Sequence, residues 1–197
     1  QIGIGGSNTT ESLTYLLLHI RLPRVLLGLL VGGGLAVSGA ATQGLFRNPL
    51  ADPALIGVTS GAMTFAVAGI LFIGILKNFL GYASIALMAF TGSLLSTFLV
   101  YRLATSRGRT SVTTMLLAGI AITALGGALT GLMTYFSTEE ELRDITFWTL
   151  GSLGGATWTM LTLLAPMVLL PCFILYRYAH QLDLMLLGEQ EEDKPQI

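Results

Sequence analysis

The side chains able to do chemistry in this sequence are few, and their spacing suits recognition better than reaction. Arg21 and Arg24 flank Pro23. Two guanidiniums three residues apart offer fixed forks for carboxylates and a field that steers an acidic partner. The competing reading is an anchor for a helix end among lipid headgroups. Ser111, Thr113 and Thr114 gather hydroxyls ahead of a long apolar stretch. Such hydroxyls line a narrow path without charge, or cap a helix and bond carbonyls one turn back, and both readings stay open. The string Arg47-Asn48-Pro49-Leu50-Ala51-Asp52-Pro53 reads as a structural turn. Arg47 suits the end of one helix, while Asp52 as N-cap and Pro53 as first helical residue suit the start of the next.

Residues for covalent, metal or nucleotide chemistry do not assemble. His19 and His180 lack metal-ligating neighbours and read as interfacial residues. Cys172 is the single cysteine, so it forms no disulfide within the chain and reads as a small core residue. No G-x-x-x-x-G-K-[ST] phosphate loop occurs, and the Gly3-Ile4-Gly5-Gly6 cluster follows no predicted strand. Asn8-Thr9-Thr10 matches a glycosylation sequon, a common chance match. No catalytic residue, metal or cofactor is expected, and any uphill work must come from a partner.

The elements that position these residues follow from composition. Hydrophobic residues are 53% of the chain and charged residues 11%, against about 25% charged in an ordinary soluble domain. Mean hydropathy is +0.74. The net charge of −1 gives no reason to expect nucleic acid. Glycine, at 24 of 197 residues, lets helix backbones approach where lipid supplies no drive to associate. The spacings Gly28-x-x-x-Gly32 and Gly127-x-x-x-Gly131 read first as helix-packing positions.

Marking the charges leaves five long uncharged windows, 25–46, 53–76, 78–101, 110–138 and 145–176, the last broken by Gly151, Gly154 and Gly155. About 20 apolar residues cross a hydrocarbon core of about 30 Å, and a core unable to hydrogen-bond bare backbone requires helices. The expected fold is therefore all-α: a polytopic transmembrane helical bundle with spans over about 25–46, 54–76, 79–101, 112–136 and 156–176. These form one membrane domain over 1–197. None of the windows holds Asp, Glu, Lys, Arg or His, which speaks against proton relays and intramembrane catalysis.

Local signals punctuate the spans. Asn8 and Glu11 have capping-box spacing that would start a short helix before Pro23. Ser137 or Thr138, with Glu140 and Glu141 three residues on, would cap a short interfacial helix over 138–150 carrying Leu142, Ile145 and Trp148. Glu139, Glu140 and Glu141 form its solvated start. If the 102–109 loop is cytoplasmic, that side carries Arg47, Arg102, Arg107, Arg109, Arg177 and Lys194, against Arg21, Arg24, Lys77 and Arg143 opposite. This bias favours that orientation. The chain begins at Gln1 rather than Met, which suggests a preceding piece.

Arg21-Leu22-Pro23-Arg24, Gly32-Gly33-Gly34-Leu35-Ala36-Val37-Ser38-Gly39, Gln43, the 47–53 string, Gly57 and Gly61-Ala62 together resemble the FecCD-type permeases. These are the type II importer permeases for siderophores, haem and cobalamin. Leu116-Leu117-Ala118-Gly119-Ile120-Ala121, Arg143 with Trp148, Gly151-Ser152-Leu153, Leu182-Asp183-Leu184 and Leu187-Gly188-Glu189 extend the resemblance from about residue 18 to 189.

The resemblance implies a homodimeric permease of about ten membrane helices, of which the five spans correspond to the second through sixth. It implies ATP-binding cassette ATPase subunits as partners, a periplasmic substrate-binding protein, and a bacterial inner (plasma) membrane location. On this pattern Arg21 and Arg24 meet glutamates of the binding protein, and Ser111, Thr113 and Thr114 lie at the inner gate. The 138–150 helix lies near the outer vestibule, on the periplasmic side. Leu187, Gly188 and Glu189 face the ATPase. The family motif normally continues into A-x-x-L-G, whereas this chain continues Gln190-Glu191-Glu192-Asp193-Lys194-Pro195, which departs from that coupling segment. The competing functions are a membrane-embedded binding component of an energy-coupling-factor vitamin importer, which the Arg21–Arg24 and 47–53 strings oppose, and an inactive permease fragment.

Overall fold

A computed structural model describes residues 6–80, 83–106 and 108–192, with side chains described over 11–72, 84–106 and 108–179. Arg107, Lys194 and the Gly3 to Gly5 part of the glycine cluster lie outside the described residues. The side chains of Asn8, Lys77, His180, Leu187, Gly188 and Glu189 do so as well.

The described elements are almost all helical. In chain order they are α1 (Gly6–Tyr15), a π turn (Leu16–Arg21), α2 (Leu22–Phe46), a 3-10 turn (Pro53–Ile56), α3 (Val58–Leu80), α4 (Ala83–Ala104), β1 (Thr105–Ser106), β2 (Arg109–Thr110), α5 (Val112–Tyr135), α6 (Glu139–Leu150) and α7 (Trp158–Glu192). β1 and β2 pair antiparallel as a hairpin between α4 and α5. Gly108 in that hairpin has φ +77, a conformation open chiefly to glycine.

Contacts group the chain into two compact units, Gln1–Arg47 with Ser152–Ile197, and Asn48–Gly151. In the first unit α2 packs against α7, and a Cβ added at Gly34 would come within 2.8 Å of Val168 Cγ1. In the second, α3, α4 and α5 pack at backbone distance. A Cβ on Gly61 would fall on the Gly92 carbonyl oxygen, one on Gly92 on the Gly61 carbonyl oxygen, and one on Gly119 on the Leu55 carbonyl oxygen. Val67 and Ile70 of α3 close a small core with Ile145 of α6, flanked by Met63, Met133 and Trp148.

Four helices among the described residues are long and apolar enough to cross a membrane: Glu11–Phe46, Ser84–Ala104, Val112–Tyr135 and Trp158–Ala179. In α3 the part with described side chains, Val58–Phe72, is also apolar. In the most apolar window of Trp158–Ala179 none of the residues is buried, and in that of Ser84–Ala104 only 22% are. Apolar helices this poorly covered by their own chain require another apolar medium.

The short helix expected before Pro23 is present as α1, and it runs on through the π turn into α2, so helical backbone continues from Gly6 to Phe46. The π turn absorbs the proline by shifting the hydrogen-bond register where its missing N–H would break an α-helix. The second apolar window does not begin its long helix at Pro53. Pro53–Ile56 forms a 3-10 turn, Gly57 follows in the left-handed region at φ +79, and α3 starts at Val58. Among the described residues a Cβ added at Gly32, Gly127 or Gly131 would meet nothing within 4 Å, and one at Gly28 would meet Leu153 Cδ1 at 3.6 Å. The closest approaches among the described residues fall at Gly34, Gly57, Gly61, Gly92 and Gly119; G-x-x-x-G spacing marks a small-residue face without saying which face meets a neighbour.

Candidate functional site

The arginine pair sits where the π turn meets α2. Arg21 is the last residue of the π turn and is exposed. Pro23 is fully buried and fixes the first turn of α2. Arg24 turns back toward the segment before α7, where its Nη2 donates to the Gly154 carbonyl at 3.2 Å. Ser152 Oγ accepts from the Gly154 amide at 3.0 Å and steadies that loop. The two guanidiniums are thus unequal: Arg24 is partly committed to backbone, whereas Arg21 stands on the exposed side of a register shift.

The 47–53 string folds as a chain of local bonds. Arg47 closes α2 in the left-handed region at φ 48 and ψ 37, with its amide donating to Gln43 and Gly44 carbonyls. Asn48 Oδ1 accepts from Leu50 N at 2.9 Å, and Asp52 Oδ1 accepts from Ala54 N at 2.6 Å, with Pro53 opening the 3-10 turn. Pro49 lies between these caps. No group here is arranged to react; the residues terminate one helix and initiate another.

At the head of α5, Ser111 is the N-cap and its Oγ accepts from Thr114 N at 3.3 Å. The capping reading therefore applies to Ser111. Thr113 and Thr114 are exposed in the first turn. The hairpin before them is tied by Thr105 and Thr110 Oγ1 atoms 2.9 Å apart and by Ser111 N donating to Ala104 O at 3.1 Å. At the head of α6, Thr138 and Glu141 form a reciprocal capping box, Thr138 N donating to Glu141 Oε2 at 2.8 Å. Leu187, Gly188 and Glu189 fall inside α7, which continues helical to Glu192.

Sequence reasoning missed a hydroxyl seam in the second unit. Ser96 Oγ, buried, donates to the Gly57 carbonyl at 2.7 Å. Thr64 Oγ1 bonds the Ser60 carbonyl at 2.8 Å and stands 3.2 Å from both Gly126 O and Thr130 Oγ1. Beside the seam lies a cavity of about 170 Å³ walled by Phe65, Leu95, Leu99, Leu125 and Leu129. The signal available was Ser60-x-x-x-Thr64 set against Gly126-x-x-x-Thr130, two pairs of small residues at one-turn spacing. Every hydroxyl of the seam bonds a carbonyl or another hydroxyl, so it joins helices rather than waiting for a ligand. Among the described residues no group of His, Cys, Asp and Glu could hold a metal ion.

Comparison with known proteins places this geometry. The family model for the FecCD transport family matches residues 3–194. The chain is 43% identical over 186 residues to the hemin transport system permease protein HmuU of Yersinia pestis, covering 94% of this chain and 55% of that protein. It is 39% identical over 172 residues to the cobalamin import system permease protein BtuC of Halobacterium salinarum, covering 87% of this chain and 45% of that protein. A solved structure described as a metal-chelate type ABC transporter in an inward-facing conformation matches with a TM-score of 0.78 at 32% identity, over 93% of this chain and 56% of the other. The chain thus spans about half the length of the curated relatives it matches. A match running through nearly every element described above, at this identity, leaves one assignment: the chain belongs to the FecCD transport family and is a multi-pass protein of the inner (plasma) membrane.

Proposed function

We propose that this chain is the membrane-spanning permease part of an ATP-driven bacterial importer for iron chelates, haem or cobalamin. The family match over residues 3–194 carries the reading. The uncharged windows along the sequence support it, because a path lacking ionisable groups has no means of coupling to protons and depends on work done elsewhere. Relatives named for hemin and for cobalamin frame the substrate class as a bulky chelate.

In this reading a second copy of the permease completes the path, ATP-binding cassette subunits drive alternating access, and a periplasmic binding protein delivers the substrate. Arg21 docks that protein by charge, with Arg24 holding the adjoining loop as well as facing it. Thr113 and Thr114 line the inner gate, with Ser111 fixing the helix that carries them. Residues 187–189 face the ATPase, although the tail from Gln190 onward departs from the family's coupling segment.

The test is a substrate panel. The intact transporter, with its ATPase and binding protein, is reconstituted in ATP-loaded proteoliposomes and offered hemin, cobalamin and a ferric siderophore. Accumulation of one of them is expected. Accumulation of none, with hydrolysis intact, would overturn the substrate class.

A further inference from the structure

The cavity beside the hydroxyl seam is walled by Leu95 and Leu99 of α4 and by Leu125 and Leu129 of α5, all four about half exposed. It is therefore a groove open to the surroundings of the two helices. Gly61, Gly92 and Gly126 also line it, so part of the lining is bare backbone. The hydroxyls there, on Ser60, Thr64 and Ser96, already bond carbonyls. What the groove offers an occupant is apolar surface. At about 170 Å³ it is smaller than the roughly 300–1,000 Å³ of sites that enclose a compact ligand. A bulky chelate does not fit, whereas a length of hydrocarbon chain does.

The same stripe of α4 ends in a cation. Leu95, Leu99 and Arg102 are spaced i, i+4 and i+7, one face of a helix. The Arg102 guanidinium folds back along that helix, with Cζ 5.9 Å from the centre of the Phe98 ring, and both side chains are exposed. The charge thus stays at the level where the apolar flank ends, its stem and the ring shielding each other. Arg109 pairs with Ser106 in the hairpin that closes this end of α4, and it too is exposed. From Pro53 to Thr138 the sequence holds no Asp or Glu. Among the described residues neither arginine has a carboxylate partner.

We propose that the groove and the arginines above it form a binding site for an anionic glycerophospholipid. Arg102, with Arg109, takes the headgroup phosphate, and one acyl chain lies between Leu95, Leu99, Leu125 and Leu129. A guanidinium fork matches phosphate oxygens, and basic sites at the ends of membrane helices are where anionic headgroups are recognised. The pairing of head and tail selects a lipid over other anions. An acidic protein or free phosphate would use the charge and leave the groove empty. The site requires only the membrane location, so it stands apart from the transport proposed above and from docking at Arg21.

The test uses the intact transporter in phosphatidylcholine nanodiscs that carry a small fraction of photoactivatable lipid. The probe has a diazirine in its acyl chain and either a phosphatidylglycerol or a phosphatidylcholine headgroup. Residues 92–99 and 122–129 should be labelled about tenfold more by the glycerol probe than by the choline probe. Arg102→Gln with Arg109→Gln should abolish that preference, and lysine at both positions should keep part of it. Leu125→Trp, which fills the groove, should lower labelling of residues 92–99. Equal labelling by the two probes overturns the site, and unchanged labelling in Leu125→Trp overturns the acyl position. Equal loss in the lysine and glutamine variants also refutes it, since charge would then not be the cause. If the glutamine variant keeps the preference but sheds its ATPase on purification, the arginines serve a protein contact and the lipid site falls.

Discussion

At the scale of single residues, the chain separates side chains that serve the backbone from those left to meet something else. Arg21 is exposed in the π turn while Arg24 bonds Gly154. Charge reversal at Arg21 should slow association with the binding protein by about tenfold at low salt, and flatten its salt dependence, as loss of a steering charge does. Reversal at Arg24 should also disturb the loop around Gly154. Association measured by stopped flow across a salt series checks this, and unchanged rates would remove the docking role. At the other cluster, a cysteine at Thr113 should change its reaction rate with a polar maleimide between nucleotide-free and ATP-bound transporter. Constant reactivity would leave Thr113 as an ordinary first-turn threonine. The caps were legible in sequence because their partners lie within three residues: Asp52 with Ala54, and Thr138 with Glu141. The bond from Trp158 to Leu18 was not legible, and for the Thr64–Thr130 contact only the one-turn spacings on each helix were, not their pairing. No local pattern reports a partner 66 or 140 residues away.

At the scale of elements, helix existence was readable from where charges stop, and helix packing was not. The uncharged windows correspond to long helices, yet the faces that meet depend on a rotation about each axis that spacing leaves undetermined. Gly119 approaches the Leu55 backbone, a contact that no G-x-x-x-G spacing singles out. Gly119→Ala should lower stability by about 1–3 kcal/mol through overpacking against Leu55, whereas Gly131→Ala should change it by under about 0.5 kcal/mol. Thermal unfolding in detergent compares them, and an equal loss at Gly131 would mean that another segment or chain packs there. The capping box makes a second element-scale prediction: Thr138→Ala should cost about 1 kcal/mol in the same assay. A π turn has no sequence signature beyond the proline it accommodates, so the continuity of α1 with α2 stayed hidden, as did the left-handed start imposed at Gly57.

At the scale of the whole molecule, the energetic fact is how little apolar surface the chain covers by itself. Leu29, Leu35, Leu117, Leu163 and Phe173 are among many large apolar side chains more than half exposed. In water that surface would drive aggregation, while in a bilayer it is solvated. Composition alone disclosed this, because 11% charge over 197 residues leaves too few polar groups for an aqueous surface. The family came from strings such as 21–24 and 47–53, which the folded chain uses for helix starts and stops. In the proposed function such a chain conducts its cargo without powering it. The direct measurement is uptake by the reconstituted transporter under two separate challenges, ATP depletion and a protonophore. Uptake is expected to stop when ATP is removed and to persist when the proton gradient is collapsed. Uptake that survives without ATP and fails with the protonophore would contradict it.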